Sequence, residues 1–255
     1  YNKNTYKSGD TKHNSGSAGY RNLMSRDIKR HSDYGKSGMI VPETLRDVIN
    51  KNRISFGPIH QMGNITSSHD QLRFAGYADG QISIGDDGTL RSFNNMVSAI
   101  KNKTTYLKLA NFHAFNISQP GIPIIYYGEE IALMGEGDPG NRRMMRFDLN
   151  DNEEKLRSQF SQLNKLRTTQ SALALGDQLI LKNEGTILAL LKIYYDHSVL
   201  VIINNGSNKE TVPVTLPFEP KQITSLIKST EFKKNGPTLT FNTEPWSHYF
   251  YAIQN

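Results

Sequence analysis

Ile59-His60-Gln61-Met62-Gly63-Asn64-Ile65-Thr66-Ser67-Ser68-His69-Asp70 is the stretch that decides the fold. Its first part, residues 59–66, predicts a buried strand, and the polar run from Ser67 to Asp70 follows directly. In α/β folds, functional side chains lie in the loops at the carboxyl ends of parallel strands. The stretch therefore predicts a parallel strand whose following loop carries chemistry.

A second strand and several helices surround this stretch. Ile122–Tyr127 is apolar throughout, which is typical of a parallel strand covered on both faces. Apolar positions between Phe93 and Ile117 predict one or two helices, and the periodic leucines of Asn152–Thr168 predict another. Upstream, Pro42–Lys51 predicts a helix as well. Strands that alternate with helices indicate a parallel sheet with crossover connections.

The pattern changes after about residue 171. Short β-rich runs separated by Gly, Asn and Pro turns are typical of an antiparallel sandwich. We therefore predict two domains, residues 1–170 and residues 171–255. The predicted strands of the second are Leu179–Leu181, Thr186–Ile193, Ser198–Asn204, Thr211–Leu216, Thr238–Phe241 and Ser247–Ile253.

Composition excludes some classes of protein. No run approaches the roughly 18 apolar residues that a membrane helix needs, so we expect no membrane partner. The net charge of +6 comes wholly from residues 1–53, which hold 11 Lys/Arg against 5 Asp/Glu. Those cations lack the interleaved aromatic side chains that grip single strands, so we favour a solvated surface over a nucleic-acid site. A secreted or periplasmic location is slightly favoured over a cytoplasmic one.

Three segments carry a resemblance to a known family. Gly63–Phe74 resembles the seventh-strand motif of the α-amylase family (glycoside hydrolase family 13), in which an arginine follows a His-Asp pair. Gly121–Glu130 resembles the eighth strand of that family, and Gly137–Arg142 resembles its sugar-contacting loop. The resemblance implies an α/β fold, namely the C-terminal part of a (β/α)8 TIM barrel followed by an all-β antiparallel sandwich domain.

The resemblance also implies roles for individual residues. A glycosidic bond breaks through a cationic, oxocarbenium-like state, so a carboxylate beside the reacting carbon lowers the barrier. Asp70 matches the family's transition-state stabiliser, and His69 matches a donor to the same sugar. Asp138 and Arg142 match residues that contact the next sugar, and the guanidinium offers a rigid fork of donors. For Arg73, contact with sugar and pairing with a barrel carboxylate stay equally open.

Other polar and aromatic residues favour structural roles. Arg143 is expected to pair with a nearby carboxylate, and Trp246 to pack in the sandwich core rather than to serve as a sugar platform. Packing or turn roles are favoured for Tyr126, Tyr127, Glu129 and Glu130.

The family's nucleophile and general acid do not appear in the sequence. The resemblance implies an aspartate nucleophile in a Gly-x-Arg-x-Asp pattern on the fourth strand and a glutamate acid on the fifth. Neither pattern occurs, and Asp27, which is followed by His31, lies too close to Asp70 to be that nucleophile. We therefore expect this chain to be a fragment whose remaining barrel comes from upstream sequence. We expect no cofactor or metal in this segment, with calcium possible in the upstream part.

Three functions remain open at this point. The first is an α-glucan-active retaining hydrolase that cuts α-1,4 bonds in starch or maltooligosaccharides, with an α-glucan or oligosaccharide as its partner. The second is a catalytically inactive, amylase-like carbohydrate-binding or scaffold protein. The third is a polyanion-binding protein that uses the basic residues 1–40, which salt-dependent DNA retention would reveal.

Overall fold

The structure, a computed structural model, describes residues 63–83 and 85–254. The helix expected at Pro42–Lys51 and the start of the strand at Ile59 lie outside the described residues. The helices are α1 Phe74–Asp79, α2 Gly88–Asn94, α3 Thr104–Ser118, α4 Asp151–Thr169 and α5 Ser171–Leu175. The strands are β1 Gly63–Ile65, β2 Ile122–Ile124, β3 Asp177–Glu184, β4 Ile187–Tyr194, β5 His197–Asn204, β6 Glu210–Thr215, β7 Gln222–Ser225, β8 Phe232–Asn235, β9 Thr238–Thr243 and β10 Ser247–Gln254.

Strands β1 and β2 form the parallel pair that the sequence predicts, with Asn64 opposite Pro123. The expectation that the second strand is covered on both faces is wrong for this structure, because Ile122 is 52% exposed and Ile65 and Ile124 are also exposed. Within the described residues these two strands pair only with each other. Parallel sheets are covered on both faces when further strands and helices surround them, and residues 63–83 and 85–254 supply only part of that cover.

Asp79 holds the chain that leads into helix α3. The carboxylate of Asp79 accepts from the backbone N–H of Lys101 and Asn102 (2.8 Å to Asn102) and from Oγ1 of Thr105 (2.7 Å). Burial alone would raise the pKa of Asp79, but these hydrogen bonds outweigh it and lower the pKa. One carboxylate therefore holds the entry to α3, the last helix before β2, through Lys101, Asn102 and the side chain of Thr105.

Helix α4 confirms the helix that the periodic leucines predict. The side chain of Asn150 accepts from the backbone N–H of Asn152 and Glu153, and the side chain of Glu153 accepts from the backbone N–H of Asn150. This reciprocal pair is a capping box. The buried positions recur at three- and four-residue spacing, and they are Leu156, Phe160, Leu163 and Leu166.

The C-terminal strands form two antiparallel sheets. The first has the order β3-β4-β5-β10-β7 and the second has the order β6-β9-β8. One face of the first sheet packs on the second, with Ile202, Phe241 and Tyr249 in the core between them. The other face, through Leu190, Val201 and Phe250, joins the core of helices α3 to α5. The proposed domain limit between residues 170 and 171 stays a prediction.

Arg167 ties the end of α4 to the chain that enters β2. Its guanidinium donates to the carbonyls of Ile117 (2.9 Å) and Gln119 (3.0 Å), and also to those of Gly121 and Leu173. Burial lowers the pKa of Arg167. A planar group with five donors suits this task, since it can serve several carbonyls at once.

Replacing Arg167 by alanine is expected to lower the free energy of unfolding by about 2 kcal/mol, because buried carbonyls lose their donors. Urea unfolding of the variant measures the change. Arg157→Ala on the same helix is the matched control. Its exposed pair with Glu154 at 2.9 Å is expected to contribute at most about 0.5 kcal/mol. Equal losses in the two variants would show that the carbonyl contacts of Arg167 are not stabilising.

Candidate active site

Two loops meet beyond the carboxyl ends of β1 and β2. The first loop runs from Thr66 to Leu72, and the second runs from Ala132 to Arg143. In the first, Oγ of Ser68 accepts from the backbone N–H of Asp70 (3.2 Å), and the carbonyl of Ser68 accepts from the N–H of Gln71 (3.3 Å). This turn sets His69 and Asp70 at its tip, where both side chains are largely exposed, Asp70 by 69%.

Asn141 fastens the second loop to the first. Its buried amide donates to the carbonyls of Ser68 (3.2 Å), His69 (2.7 Å) and Gln71 (2.9 Å). These three acceptors belong to the turn that carries His69 and Asp70, so Asn141 holds that turn against the second loop. Asn141 was not among the site residues predicted from the sequence; its place immediately before Arg142 in the loop segment was the available signal.

Arg142 joins the charged residues of both loops into one cluster. Its Nη2 lies 3.0 Å from Oδ2 of Asp138 and 3.4 Å from Oδ1 of Asp70, and its Nε donates to the carbonyl of His69 (3.1 Å). Nε2 of His69 lies 3.1 Å from Oδ2 of Asp70. The structure therefore brings together four of the five site residues named from the sequence.

Arg73 has a different position from those four. It is fully buried, and its Nε donates to the carbonyl of Asn141 (3.0 Å) while Nη1 donates to that of Tyr127 (2.6 Å). Its guanidinium lies 4.5 Å from the ring centroid of Tyr126 and 4.7 Å from that of Tyr127. These contacts match neither sugar contact nor carboxylate pairing. They place Arg73 beneath the cluster, where it supports the loop that bears Arg142.

The second loop contacts α2 through Gly137 and contacts the chain after α2 through Glu136. Glu136 is fully buried and pairs with Arg143, whose Nη2 lies 3.1 Å from Oε2 of the glutamate. The same carboxylate accepts from the backbone N–H of Val97. The expected pairing of Arg143 with a carboxylate is thus confirmed. Next to Glu136, a Cβ on Gly88 would lie 2.7 Å from the backbone N of Gly137, so both positions need glycine for close approach.

Glu129 and the two tyrosines have the structural environments expected of them. Glu129 is buried and accepts from Oγ of Ser67, which links the loop after β2 to the loop after β1. The rings of Tyr126 and Tyr127 pack edge to face with centroids 4.6 Å apart. The hydroxyl of Tyr127 donates to the carbonyl of Arg143 (2.6 Å).

The cluster offers two carboxylates, an imidazole and a guanidinium on an exposed surface. Such a set can bind neighbouring hydroxyl groups and can place negative charge beside a developing cation. Within residues 63–83 and 85–254, no group of three His, Asp or Glu side chains is arranged to hold a metal ion. No helix in the same part of the chain has the length and apolarity that crossing a membrane requires.

Comparisons with known proteins show which proteins the chain is similar to. No family model matches the chain. The chain is 26% identical over 201 residues to a cyclomaltodextrinase of Thermoanaerobacter pseudethanolicus, a match that covers 79% of this chain and 29% of that protein. A solved α-amylase of Anoxybacillus superposes with a TM-score of 0.73 at 21% identity, covering 94% of this chain and 46% of that one. The protein AmyP, solved with maltotriose, gives 0.72 at 15% identity, covering 94% and 49%.

These likenesses confirm the expected fold, the C-terminal part of a TIM barrel followed by an antiparallel β-sandwich. The chain spans about half the length of the solved proteins and less than a third of the cyclomaltodextrinase. It is related in sequence to amylase-type glycoside hydrolases, and it has the fold of the C-terminal half of the α-amylase family, glycoside hydrolase family 13.

Proposed function

We propose that this chain supplies part of the sugar-binding cleft of an α-glucan-active retaining glycoside hydrolase, which cuts α-1,4 bonds in starch or maltooligosaccharides. The observation that carries the proposal is the cluster in which Arg142 bridges Asp70 and Asp138 while its Nε holds the carbonyl of His69. The relationship to amylase-type hydrolases supports the choice of substrate class.

Asp70 acts by charge rather than by attack in this proposal. Its carboxylate is fixed on one side by Nε2 of His69 (3.1 Å) and on the other by Arg142 (3.4 Å). A carboxylate held in this way needs little rearrangement when positive charge develops on the sugar ring. Hydroxyls of the distorted ring take hydrogen bonds from His69 and give them to Asp70, and both contacts strengthen in the transition state.

Asp138 and Arg142 bind the adjacent sugar. The two side chains are four residues apart and in contact at 3.0 Å, so together they present an acceptor and a donor to vicinal hydroxyls. Arg73 does not touch sugar in this proposal. It fixes the loop that carries this pair.

The nucleophile and the acid come from residues outside this chain. A retaining reaction needs two carboxyl groups about 5–5.5 Å apart, one attacking the anomeric carbon and the other protonating the leaving oxygen. We propose that both lie on upstream strands of the same barrel, next to the exposed faces of β1 and β2. A calcium ion, if the complete protein binds one, is placed by this proposal in the upstream part.

Replacing Arg142 by alanine is expected to weaken binding of a short oligosaccharide such as maltotriose by about tenfold, because a charge-assisted hydrogen bond is worth about 1.5–3 kcal/mol. Stability should change little, since the side chain is nearly half exposed. Titration of the complete protein with maltotriose measures the affinity, and urea unfolding measures the stability. Arg157→Ala, which removes an exposed arginine of α4 outside the cluster, is the matched control. Equal affinity in the Arg142→Ala and wild-type proteins would exclude the proposed sugar contact.

An inactive, amylase-like binding or scaffold protein is the second candidate. In this candidate the complete protein has no Gly-x-Arg-x-Asp pattern upstream, as none occurs within the 255 residues. The two candidates differ in one observable property. A hydrolase releases reducing sugar from starch in the complete protein and loses this activity with Asp70→Asn, whereas a scaffold binds oligosaccharide without releasing any.

A further inference from the structure

The second loop contains two ion pairs, one inside the other along the chain. The inner pair, Asp138 and Arg142, belongs to the charged cluster, and both side chains are about half exposed. The outer pair consists of Glu136 and Arg143, and Nη2 of the arginine lies 3.1 Å from Oε2 of the glutamate. The side chain of Glu136 is fully buried and that of Arg143 is partly exposed. The buried carboxylate therefore cannot touch a ligand that binds to the inner pair.

Both members of the outer pair bind the backbone of Val97, which is itself buried. Oε1 of Glu136 accepts from the N–H of Val97, and Nη1 of Arg143 donates to the carbonyl of the same residue. Nη2 of Arg143 also lies 3.3 Å from that Oε1. A planar guanidinium suits this arrangement, because its donors can serve a carboxylate and a carbonyl at once. The two ends of the segment 136–143 are thus fixed to one residue of the chain that follows α2.

The backbone at the tip of the loop packs closely on the buried carboxylate. A Cβ on Gly140 would overlap Oε2 of Glu136 and would lie 2.8 Å from Oγ of Ser92. The hydroxyl of Ser92 donates to the carbonyl of Gly137 (2.7 Å). The tip therefore lies directly against Glu136 on one side and is bonded to α2 on the other.

We infer that Glu136 is a positioning residue for ligand binding, which holds Asp138 and Arg142 in place through Arg143 and the backbone of Gly140. A donor and an acceptor that are already fixed lose less conformational entropy when a ligand binds, so holding them raises affinity without adding a contact. The outer pair is neutral as a whole, so it acts on the geometry of the inner pair rather than on its charge. That the ligand is a sugar rests on the proposed function.

Glu136→Gln separates this role from the filling of space. Glutamine has nearly the same volume, and its side-chain oxygen can still accept from the N–H of Val97. Its amide nitrogen is a donor that faces another donor, Nη2 of Arg143, so the outer pair is lost while the packing is kept. Arg143→Lys is the second variant and takes its place should Glu136→Gln not fold. It keeps the charge on a partly exposed side chain but replaces the guanidinium fork by a single ammonium.

Hydrogen exchange of the loop amides is the first measurement, and it needs no ligand. Two N–H groups at the tip, those of Asn141 and Arg142, donate to backbone carbonyls at 3.1 and 3.0 Å. In Glu136→Gln both should exchange about tenfold faster, the value of one charge-assisted hydrogen bond. Glu154→Gln, which neutralises an exposed glutamate of α4, is the matched control and should leave both rates unchanged.

The affinity of the complete protein for maltotriose is the second measurement. Glu136→Gln should raise the Kd about fivefold, since ordering one long side chain on binding costs about that factor. In an Arg142→Ala background the same substitution should add less than about twofold, because the group that it positions is gone. A merely structural role would weaken binding equally in both backgrounds.

Three results would each overturn the inference in a protein whose wild type binds maltotriose. They are unchanged exchange in Glu136→Gln, an unchanged Kd, and equal weakening with and without Arg142. The proposed function fails separately, when the complete wild-type protein does not bind maltotriose. Faster exchange of the two amides would then still support the positioning of the inner pair, and unchanged exchange would remove that as well.

Discussion

Asp70→Asn in the complete protein is expected to lower kcat on maltooligosaccharides by about a hundred- to a thousandfold, the usual effect of removing one preorganised charge from a transition state. Asparagine keeps the shape of the side chain and can still bond to His69 and Arg142, but it carries no charge. The loss should appear in kcat more than in KM, since the charge acts mainly on the cationic state.

The fold should not change in this variant, because Asp70 is exposed and its neighbours lie on the same surface. Asp148→Asn is the matched control, since it removes an exposed carboxylate that lies outside the cluster. Far-ultraviolet circular dichroism and steady-state kinetics measure the two properties. Near-normal kcat in Asp70→Asn, with the same value in the control, would remove Asp70 from the catalytic machinery.

The free energy of unfolding is expected to fall as the pH is lowered from 6.5 to 4. Burial lowers the pKa of His113 to about 4, against a smaller opposing effect of its bond to Asn164 (2.8 Å), and burial lowers the pKa of His248 in the same way. In the unfolded chain both groups titrate near their ordinary pKa of about 6.5. Between these values the unfolded state binds more protons, so it gains stability relative to the folded state as the pH falls.

The loss of unfolding free energy depends on the difference between the folded and unfolded pKa values of each histidine. For His113, which is almost fully buried, the loss reaches about 3 kcal/mol at pH 4. His113→Gln should reduce the slope of unfolding free energy against pH by about 1 kcal/mol per pH unit. His197→Gln, which replaces an exposed histidine, is the matched control and should leave the slope unchanged. Urea unfolding at several pH values supplies the slopes, and identical slopes in the three proteins would show that His113 does not resist protonation.

Lys192 is expected to extend the rise of unfolding free energy with pH to values above 7. Its side chain is fully buried, and burial, followed by the charge of Arg167, lowers its pKa to about 7. The unfolded chain keeps this proton up to a pKa of about 10.4. Stability should therefore continue to rise between pH 7 and 10.

The sequence predicted the elements whose hydrophobic pattern is strong. Helix α4 and strands β4, β5 and β10 have regular apolar positions, and each appears close to its predicted limits. Strands β7 and β8 were missed because they carry little such pattern. All four residues of β8, a strand at the sheet edge, are exposed, and two of them are lysines. The exposure of Ile122 was also missed, since apolar composition shows what a strand can bury but not which neighbours are present.

The site residues that lie in a recognisable sequence motif could be predicted. His69, Asp70, Asp138 and Arg142 lie in motif segments, and the structure brings them together. Arg73 and Asn141 lie in the same segments, but their role depends on the carbonyls they meet, which only the folded backbone supplies. Trp246 was assigned to the core because tryptophan is usually buried, and a left-handed turn overrides that tendency.

The central claim is that the Asp70 carboxylate favours positive charge on a sugar held by Arg142 and Asp138. Its most direct test compares two affinities in the complete protein, one for a cationic iminosugar and one for neutral maltotriose. Asp70→Asn should weaken iminosugar binding by about a hundredfold and maltotriose binding by less than about tenfold. Equal weakening of both ligands, or of neither, would contradict the claim.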